Sequence, residues 1–298
     1  MAEHAAKTTS ILQPSLSPCL PLLVFHHHNP AAAADEMLMF SVPRQRLVLL
    51  LAESRDGTSS SSSPAARLWN PRTGDELPLP DIGEEDHEII PQSSRCFLSH
   101  KDPSHPACTV VLFHRAAPEI WYCHLAGGGW RHYAYDVGDY PLLPEPYRRA
   151  PTKTVISMAA SFRGKLYFIS SPRAMGAIDF SSSPSSTPTF QHFDVRLPVD
   201  FPREMSSSCD WLVEWQDRLF LVSIRFVGFD PDHIGAVQVY EMDFSSACMR
   251  WRRVHDDIGD VVFLLEDGNV AASCHATSLG LDANRIYFMK NFKEEDAD

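Results

Sequence analysis

The sequence has no long uninterrupted apolar run and almost no helical periodicity. No stretch approaches the roughly 18 consecutive apolar residues that a membrane-spanning helix needs. The first residues are broken by Pro14, Pro18 and Pro21, and they lack the charged-then-apolar layout of a signal peptide. We therefore expect a soluble, intracellular protein, cytoplasmic or nuclear, with no membrane partner.

Basic residues are also scarce. The chain carries 26 Lys and Arg against 38 Asp and Glu, for a net charge of −12. Nucleic acids are bound through Lys and Arg side chains that neutralise phosphates on a basic face. Here the cations are scattered, apart from short clusters such as Arg250-Trp251-Arg252-Arg253. A nucleic acid is therefore not expected as a partner.

Paired cysteines are absent. The seven cysteines are odd in number, and no two form a C-x-x-C pair. Most of them lie in apolar runs, which indicates reduced, buried thiols in an intracellular protein and not a disulfide framework. They are Cys19, Cys96, Cys108, Cys123, Cys209, Cys248 and Cys274.

Motifs for metals, cofactors and catalysis are absent too. The densest cluster of the 14 histidines is His26-His27-His28, and three neighbours on a strand alternate faces and cannot converge on one ion. His100, His105 and His124 lack the spacing of a tetrahedral site. Gly127-Gly128-Gly129 has no helix behind it and is expected to be a hairpin loop, not a phosphate cradle. We expect no metal, no cofactor and no catalytic residue.

What the chain does contain is many short apolar runs of four to eight residues. They are rich in Val, Ile, Phe, Tyr and Leu, and the 23 prolines and 14 glycines supply turns between them. Short strands at close spacing are typical of a β-sandwich, barrel or propeller. The sequence therefore predicts an all-β protein with antiparallel strands.

One phrase recurs: a small polar turn, a cation, then an apolar-aromatic strand. Its strong copies occupy 164–168, 217–221 and 284–288, and a weaker copy occupies 45–49. Repeats of about 40–50 residues of pure β mark propeller blades such as kelch and WD40. About 250 usable residues at that spacing predict a single propeller of five or six blades, with coincidental similarity in a β-sandwich as the alternative.

Tryptophans follow the strands in a second phrase, as in Trp121-Tyr122 with Trp130 and in Val239–Asp243 with Trp251. Aromatic side chains at such positions bury large apolar areas. We expect most of the six tryptophans to pack in the core or between blades. They are Trp69, Trp121, Trp130, Trp211, Trp215 and Trp251.

Several segments in order resemble the plant KIB-type (kelch-like) β-propeller family, the domain that follows an F-box in many plant proteins. The segments are Leu68–Pro80 with its Asn70-Pro71 turn, Arg95–Ser99, Cys108–Leu112, Trp121–Cys123 with Trp130, the Gly164 strand, and Ser278–Leu281 before Asn284. The resemblance runs from about 21 to 290 and implies the substrate-recognition propeller of a ubiquitin-ligase receptor. No F-box helix can be drawn in the first twenty residues, and a serine tract replaces the segment 52–66, which leaves the first blade eroded.

The expected organisation is therefore a flexible N-terminal segment 1–20, a propeller 21–290 and an acidic disordered tail 291–298. Only Tyr147, Arg148 and Arg149 stand out as candidates for partner contact, because they lie in a loop and carry charge that suits an acidic partner.

A protein-interaction module without an F-box is the function that these features favour, with one propeller face capturing a protein partner of unknown identity. Direct binding to the ligase adaptor is not expected without an F-box. The alternatives are an enzyme, a hydrolase or oxidoreductase, with its active site in the central channel, and a degenerate copy of the family.

Overall fold

The structure is a computed structural model that describes most of the chain from residue 37 onward. The described residues are 37–42, 47–52, 65–69, 76–80, 94–100, 102–139, 153–180, 187–198, 205–228, 230, 233–245, 249–255, 257–266 and 270–288. The predicted N-terminal segment 1–20, the tail 291–298 and the first-blade serine tract lie outside these residues.

In the described residues, nineteen strands pair into five sheets, and the first four sheets each contain four antiparallel strands. We call these sheets blades 1 to 4 and the remaining three-stranded one sheet 5. Blade 1 comprises β1 (Met37–Val42), β2 (Leu47–Ala52), β3 (Ala65–Trp69) and β4 (Glu76–Pro78), and blade 2 comprises β5 (Arg95–Leu98), β6 (Thr109–Phe113), β7 (Glu119–His124) and β8 (Arg131–Ala134). Blade 3 comprises β9 (Ala159–Phe162), β10 (Lys165–Ser171), β11 (Ala174–Asp179) and β12 (Thr189–Asp194), and blade 4 comprises β13 (Met205–Trp215), β14 (Arg218–Val227), β15 (Ile234–Asp243) and β16 (Arg250–Arg253). Sheet 5 comprises β17 (Val262–Glu266), β18 (Val270–Cys274) and β19 (Arg285–Phe288).

The four blades are arranged in the same way. The first strand of each blade in the chain contacts the first strand of the next blade. β1 contacts β5, β5 contacts β9, and β9 contacts β13. In sheet 5 the second strand in the chain, β18, takes this place beside β13. These first strands form the inner ring, and each blade extends outward from it. This radial arrangement is a β-propeller.

Apolar cores lie between successive sheets and not within one layer. The core between blades 2 and 3 joins Phe113 and Tyr122 to Leu166 and Phe168. Equivalent cores join blade 3 to blade 4 and blade 4 to sheet 5. Because neighbouring sheets interlock through both of their faces, the sandwich alternative is wrong.

The turn that opens the recurring phrase is a two-residue hairpin. Arg163 and Gly164 both have positive φ, 48° and 76°, and so do Gln216 and Asp217, at 46° and 58°. Two successive positive φ values define a type I′ turn, whose twist matches that of the flanking strands. The cation that follows begins the second strand of blade 3 or blade 4, as the phrase predicts.

Those two hairpin turns also bond to each other. The Arg163 guanidinium donates from Nε and Nη2 to the Asp217 carboxylate, with distances of 2.7 to 3.1 Å. The Arg163 guanidinium also lies over the Phe162 ring, 4.8 Å from its centroid. The equivalent corners of blades 3 and 4 are therefore joined by an ion pair.

Two predictions about the repeats need correction. The described residues form four four-stranded blades, fewer than the five or six predicted, and a three-stranded sheet. The copy at 284–288 becomes β19, which pairs in parallel with β17 and not with the inner strand β18. The copies in blades 3 and 4 do pair with their inner strands, β10 with β9 and β14 with β13. The weak copy at 45–49 overlaps β2, which begins at Leu47 and is the second strand of its blade. Blade 1 has four paired strands, so the expected erosion of the first blade is wrong.

The aromatic and thiol predictions are largely confirmed. Five of the six tryptophans are buried. The structure describes the backbone of Trp69 but not its side chain. Cys96, Cys108, Cys123 and Cys274 are buried thiols, whereas Cys209 is exposed, contrary to the prediction. Cys19 and Cys248 lie outside the described residues. Within the described part of the chain, no helix is long and apolar enough to cross a membrane.

Candidate partner-binding cleft

Blade 4 differs from the others in the length of its strands. β13, β14 and β15 contain 11, 10 and 10 residues, whereas the strands of blade 2 contain four to six. β14 is buried on both of its faces, since every residue from Leu219 to Arg225 is buried. The β14–β15 hairpin therefore extends beyond the outer strand β16.

The outer edge of β15 is only partly covered. β16 pairs with residues 240–243 of β15, and the Val254 N–H then donates to the Val239 carbonyl. Residues 234–238 have no backbone partner on this side among the described residues. We call residues 234–238 the open edge; they carry no charged side chain.

Exposed apolar side chains concentrate around this edge. Of the six large hydrophobic side chains exposed in the described residues, Val227, Ile234 and Val237 lie on the hairpin, with 41%, 42% and 44% of their surface exposed. Tyr287 and Phe288 lie on β19, at 44% and 39%. The sixth, Leu77, lies on β4. Clustered exposed apolar residues mark interaction sites, whereas single ones are ordinary.

A cleft of about 460 Å³ separates the open edge from sheet 5. Its blade 4 side carries Val237, Val239 and Val254 together with the polar residues Gln238, Arg253 and His255, and Ile258 and Ile286 lie across from them. Val239, Val254, Ile258 and Ile286 are half-buried and pack on the core between blade 4 and sheet 5. The cleft is thus an opening in that core, with volume in the range of ligand pockets.

The cleft also has polar lining residues of both signs. Arg253, His255 and Arg285 line it together with Asp257. Hydrogen bonds from the Gly259 N–H and then from the Asn284 amide lower the pKa of Asp257 and so stabilise its charged form. Arg285 pairs with Asp282 at 3.6 Å, whereas Arg253 forms no ion pair with any other described residue. Arg253 is therefore a lining cation that can pair with an acidic residue of a partner.

Polar contacts hold the end of the hairpin where β14 ends and β15 begins. Arg225 is 2% exposed and donates to the Pro198 carbonyl at 3.0 Å. Asp210, on the neighbouring β13, accepts hydrogen bonds from Ser208 and Ser223, and burial raises its pKa. The Ser207 hydroxyl donates to the Gly228 carbonyl at 3.0 Å. The end of the hairpin is therefore fixed to β13 and does not stand alone.

Gly235 lets the hairpin pack closely at this end. A Cβ at this position would lie 2.9 Å from the Met205 Cε and 3.2 Å from a Val227 methyl. The register between β14 and β15 shifts here, because Phe226 pairs with Ile234 and Arg225 with Ala236. An extra residue of this kind forms a β-bulge and strengthens the local twist.

The partner-contact residues predicted from sequence, Tyr147, Arg148 and Arg149, lie outside the described residues, so they remain a prediction. The cleft was not predicted. Its signal is the pattern Ile234-Gly235-Ala236-Val237-Gln238-Val239, which alternates as a half-buried strand does. Sequence alone does not show that the outer strand stops before reaching these residues.

The histidines discussed above have structural surroundings. His100 stacks on His105 with ring centroids 4.1 Å apart, and burial, followed by His105, lowers the pKa of His100. His124 is buried and shares a 3.0 Å hydrogen bond with the Thr109 hydroxyl; burial lowers its pKa. His26-His27-His28 lies outside the described residues. No three His, Cys, Asp or Glu side chains are placed to hold a metal ion in the part of the chain that is described.

Comparison with known proteins agrees with the class that the radial sheets define, a β-propeller. The model of the KIB1-4 beta-propeller family matches residues 25–298. The chain belongs to this family. No curated protein matches the sequence significantly.

Two solved structures are similar at low level. One is an S. cerevisiae complex of a Dbp5 variant with Nup159, a Gle1 variant, IP6 and ADP, with 9% identity and a TM-score of 0.35; the match covers 71% of this chain and 46% of that one. The other is KlHsv2 with one loop replaced by a Gly-Ser linker, with 4% identity, a TM-score of 0.23, and coverage of 74% and 98%. The chain thus spans less than half of the first of these structures, and neither likeness supports a functional argument.

Proposed function

We propose that this propeller binds another protein through blade 4, at the hairpin β14–β15 and the cleft beside it, and that it catalyses no reaction. The observation that supports this proposal is the exposure of three apolar side chains, Val227, Ile234 and Val237, on one hairpin, with Val237 also lining the cleft beside it. Burying apolar side chains in a partner gives most of the affinity of protein interfaces, usually through a few central residues.

Family membership extends the proposal to the kind of process. The resemblance to plant F-box proteins suggests that this propeller recognises a protein inside the cell as a ubiquitin-ligase receptor does. These 298 residues show no F-box.

A pair of charge substitutions tests the binding surface. The bait proteins are the wild-type chain, Val237→Asp, and Leu77→Asp as a matched control, since Leu77 is equally exposed but lies on blade 1. Each is used to purify partners from plant extract, and any candidate is then purified and titrated against the three chains. We expect the same partner to bind wild type and Leu77→Asp, with Val237→Asp weakened at least about tenfold.

Two results would contradict the proposal. A partner that binds all three chains equally places the binding surface elsewhere. Direct, stoichiometric binding of the purified chain to a Skp-type adaptor would contradict the expectation that this chain does not bind the ligase adaptor itself.

A further inference from the structure

We propose that the open edge of β15, residues 234–238, binds an extended segment of its partner as an added β-strand, which directs a bulky apolar side chain into the cleft. The proposed segment is apolar at alternating positions and carries an acidic residue beside the apolar ones. This inference rests on the proposed function and specifies how the same surface would recognise its partner.

The backbone of the open edge is available for pairing. A residue in an antiparallel strand sends its N–H and C=O to the same neighbour, and successive residues alternate between neighbours. The Val239 carbonyl accepts from Val254 on the outer side, so the N–H and C=O of Val237 also point outward. Neither group has a backbone partner among the described residues.

The side chains of the open edge select one face. Val237 pairs opposite Ile224 and Val239 opposite Val222, and both partners belong to the core facing sheet 5. Side chains directly opposite each other lie on the same face of a sheet. A residue paired with Val237 from outside therefore places its side chain over the cleft.

The edge lacks the features that normally block strand addition. Charged side chains on outer strands discourage pairing with other chains, and β16 carries three arginines in four residues. The open edge carries none. Its five residues span about 17 Å as a strand, enough for a short peptide segment.

Electrostatics favours a partner segment over a second copy of this chain. Two copies would each bring a net charge of −12, and two short edges alone fall well below the roughly 1,200 Å² of a stable interface. The lining of the cleft, by contrast, includes Arg253, which forms no ion pair with any other described residue. An acidic residue beside the apolar positions matches this lining.

A peptide selection tests the inference. A random dodecapeptide library displayed on phage is selected on the full chain and counter-selected on Val237→Pro. Proline removes the outward N–H of Val237 and leaves the hydrogen bonds to β14 in place, since proline is tolerated where an edge N–H faces solvent. Val237→Thr keeps both the backbone groups and the branched shape, and serves as the matched control.

We expect enriched peptides with alternating apolar residues and at least one acid. A synthetic copy should bind wild type and Val237→Thr within about twofold of each other, and bind Val237→Pro at least about tenfold more weakly. The same peptide with N-methyl groups on alternate amides should lose binding to the wild-type chain. This second arm does not depend on the folding of any variant.

Hydrogen exchange at the Val237 amide identifies what covers the edge. We expect fast exchange in the free chain and slower exchange with the peptide. Protection in the free chain at every concentration means that another segment of this chain covers the edge, and protection that grows with concentration means a second copy. Either result overturns the inference, as does the enrichment of no peptide.

The outcomes also separate this inference from the proposed function. If the purified partner is lost from Val237→Asp but retained by Val237→Pro, the surface binds protein without strand addition, and only this inference fails. If neither variant affects the partner, both proposals fail.

Discussion

The radial packing of the sheets predicts which side chains should be energetically coupled. Phe220 and Leu219 are neighbours on β14, and both are fully buried. Phe220 packs toward sheet 5, where its ring lies 5.5 Å from that of Phe263. Leu219 packs toward blade 3. In a double-mutant cycle, Phe263 should therefore couple to Phe220 and not to Leu219.

The magnitudes follow from the contacts. Phe220→Leu, Phe263→Leu and Leu219→Val each shorten or reshape a buried side chain, and each is expected to lower the free energy of unfolding by about 0.5–3 kcal/mol. Aromatic pairs at this distance add about 0.5–1.5 kcal/mol beyond their buried area. The Phe220–Phe263 cycle should show coupling in this range. The Leu219–Phe263 cycle should be additive within about 0.5 kcal/mol.

Urea unfolding of the four chains in each cycle measures these terms, with tryptophan fluorescence and circular dichroism required to give coincident transitions. Leucine and valine replacements are chosen over alanine so that the double variants stay folded. Additivity in the Phe220 cycle, or equal coupling in both cycles, would refute the assignment of the two faces of blade 4 to different neighbours.

Three further outcomes are expected. Asp217→Asn breaks the exposed ion pair with Arg163 and should lower the free energy of unfolding in urea by no more than about 1 kcal/mol at low salt. This loss should become smaller as the salt concentration rises. A larger loss that does not depend on salt would contradict a surface role for the ion pair. Thiol labelling with mass mapping should modify Cys209 in the native chain before the four buried cysteines. Burial also raises the thiol pKa of Cys96, Cys108 and Cys123. Simultaneous labelling would contradict their burial. A hydrogen bond from Arg218 lowers the pKa of Glu241 below its ordinary value, which is about 4.3 in an unfolded chain. The stabilisation is therefore complete above that pH and disappears as the pH falls through the lowered pKa. Glu241→Gln should flatten that part of the stability curve, and an unchanged curve would contradict the ion pair.

Local features of the fold could be predicted from the sequence because they depend on neighbouring residues. The turn at Arg163-Gly164 needs two positive φ values, and glycine followed by a cation and an apolar-aromatic strand indicates this hairpin. The loop at Gly127-Gly128-Gly129 does connect two strands, β7 and β8. Tryptophans such as Trp121 and Trp251 fill the cores between blades as their strand positions predict.

Strand partners could not be predicted, because pairing depends on where distant segments meet. Asn284–Phe288 has the sequence of a second strand but pairs in parallel with β17, after a loop containing the short 3-10 helix Thr277–Leu279. The predicted blade number was too high because the last repeat does not form a four-stranded blade: sheet 5 has three strands in the described residues. The cleft arises from the early end of β16, which no local pattern indicates.

Site-specific cross-linking tests most directly the claim that this propeller binds protein at the open edge. A photoreactive phenylalanine analogue is placed at position 237 and, in a control chain, at position 77, and each chain is irradiated with the purified partner. We predict a cross-link from position 237 to one extended apolar segment of the partner, which excess selected peptide suppresses. Equal cross-linking from position 77, or products from position 237 that the peptide does not suppress, would contradict it.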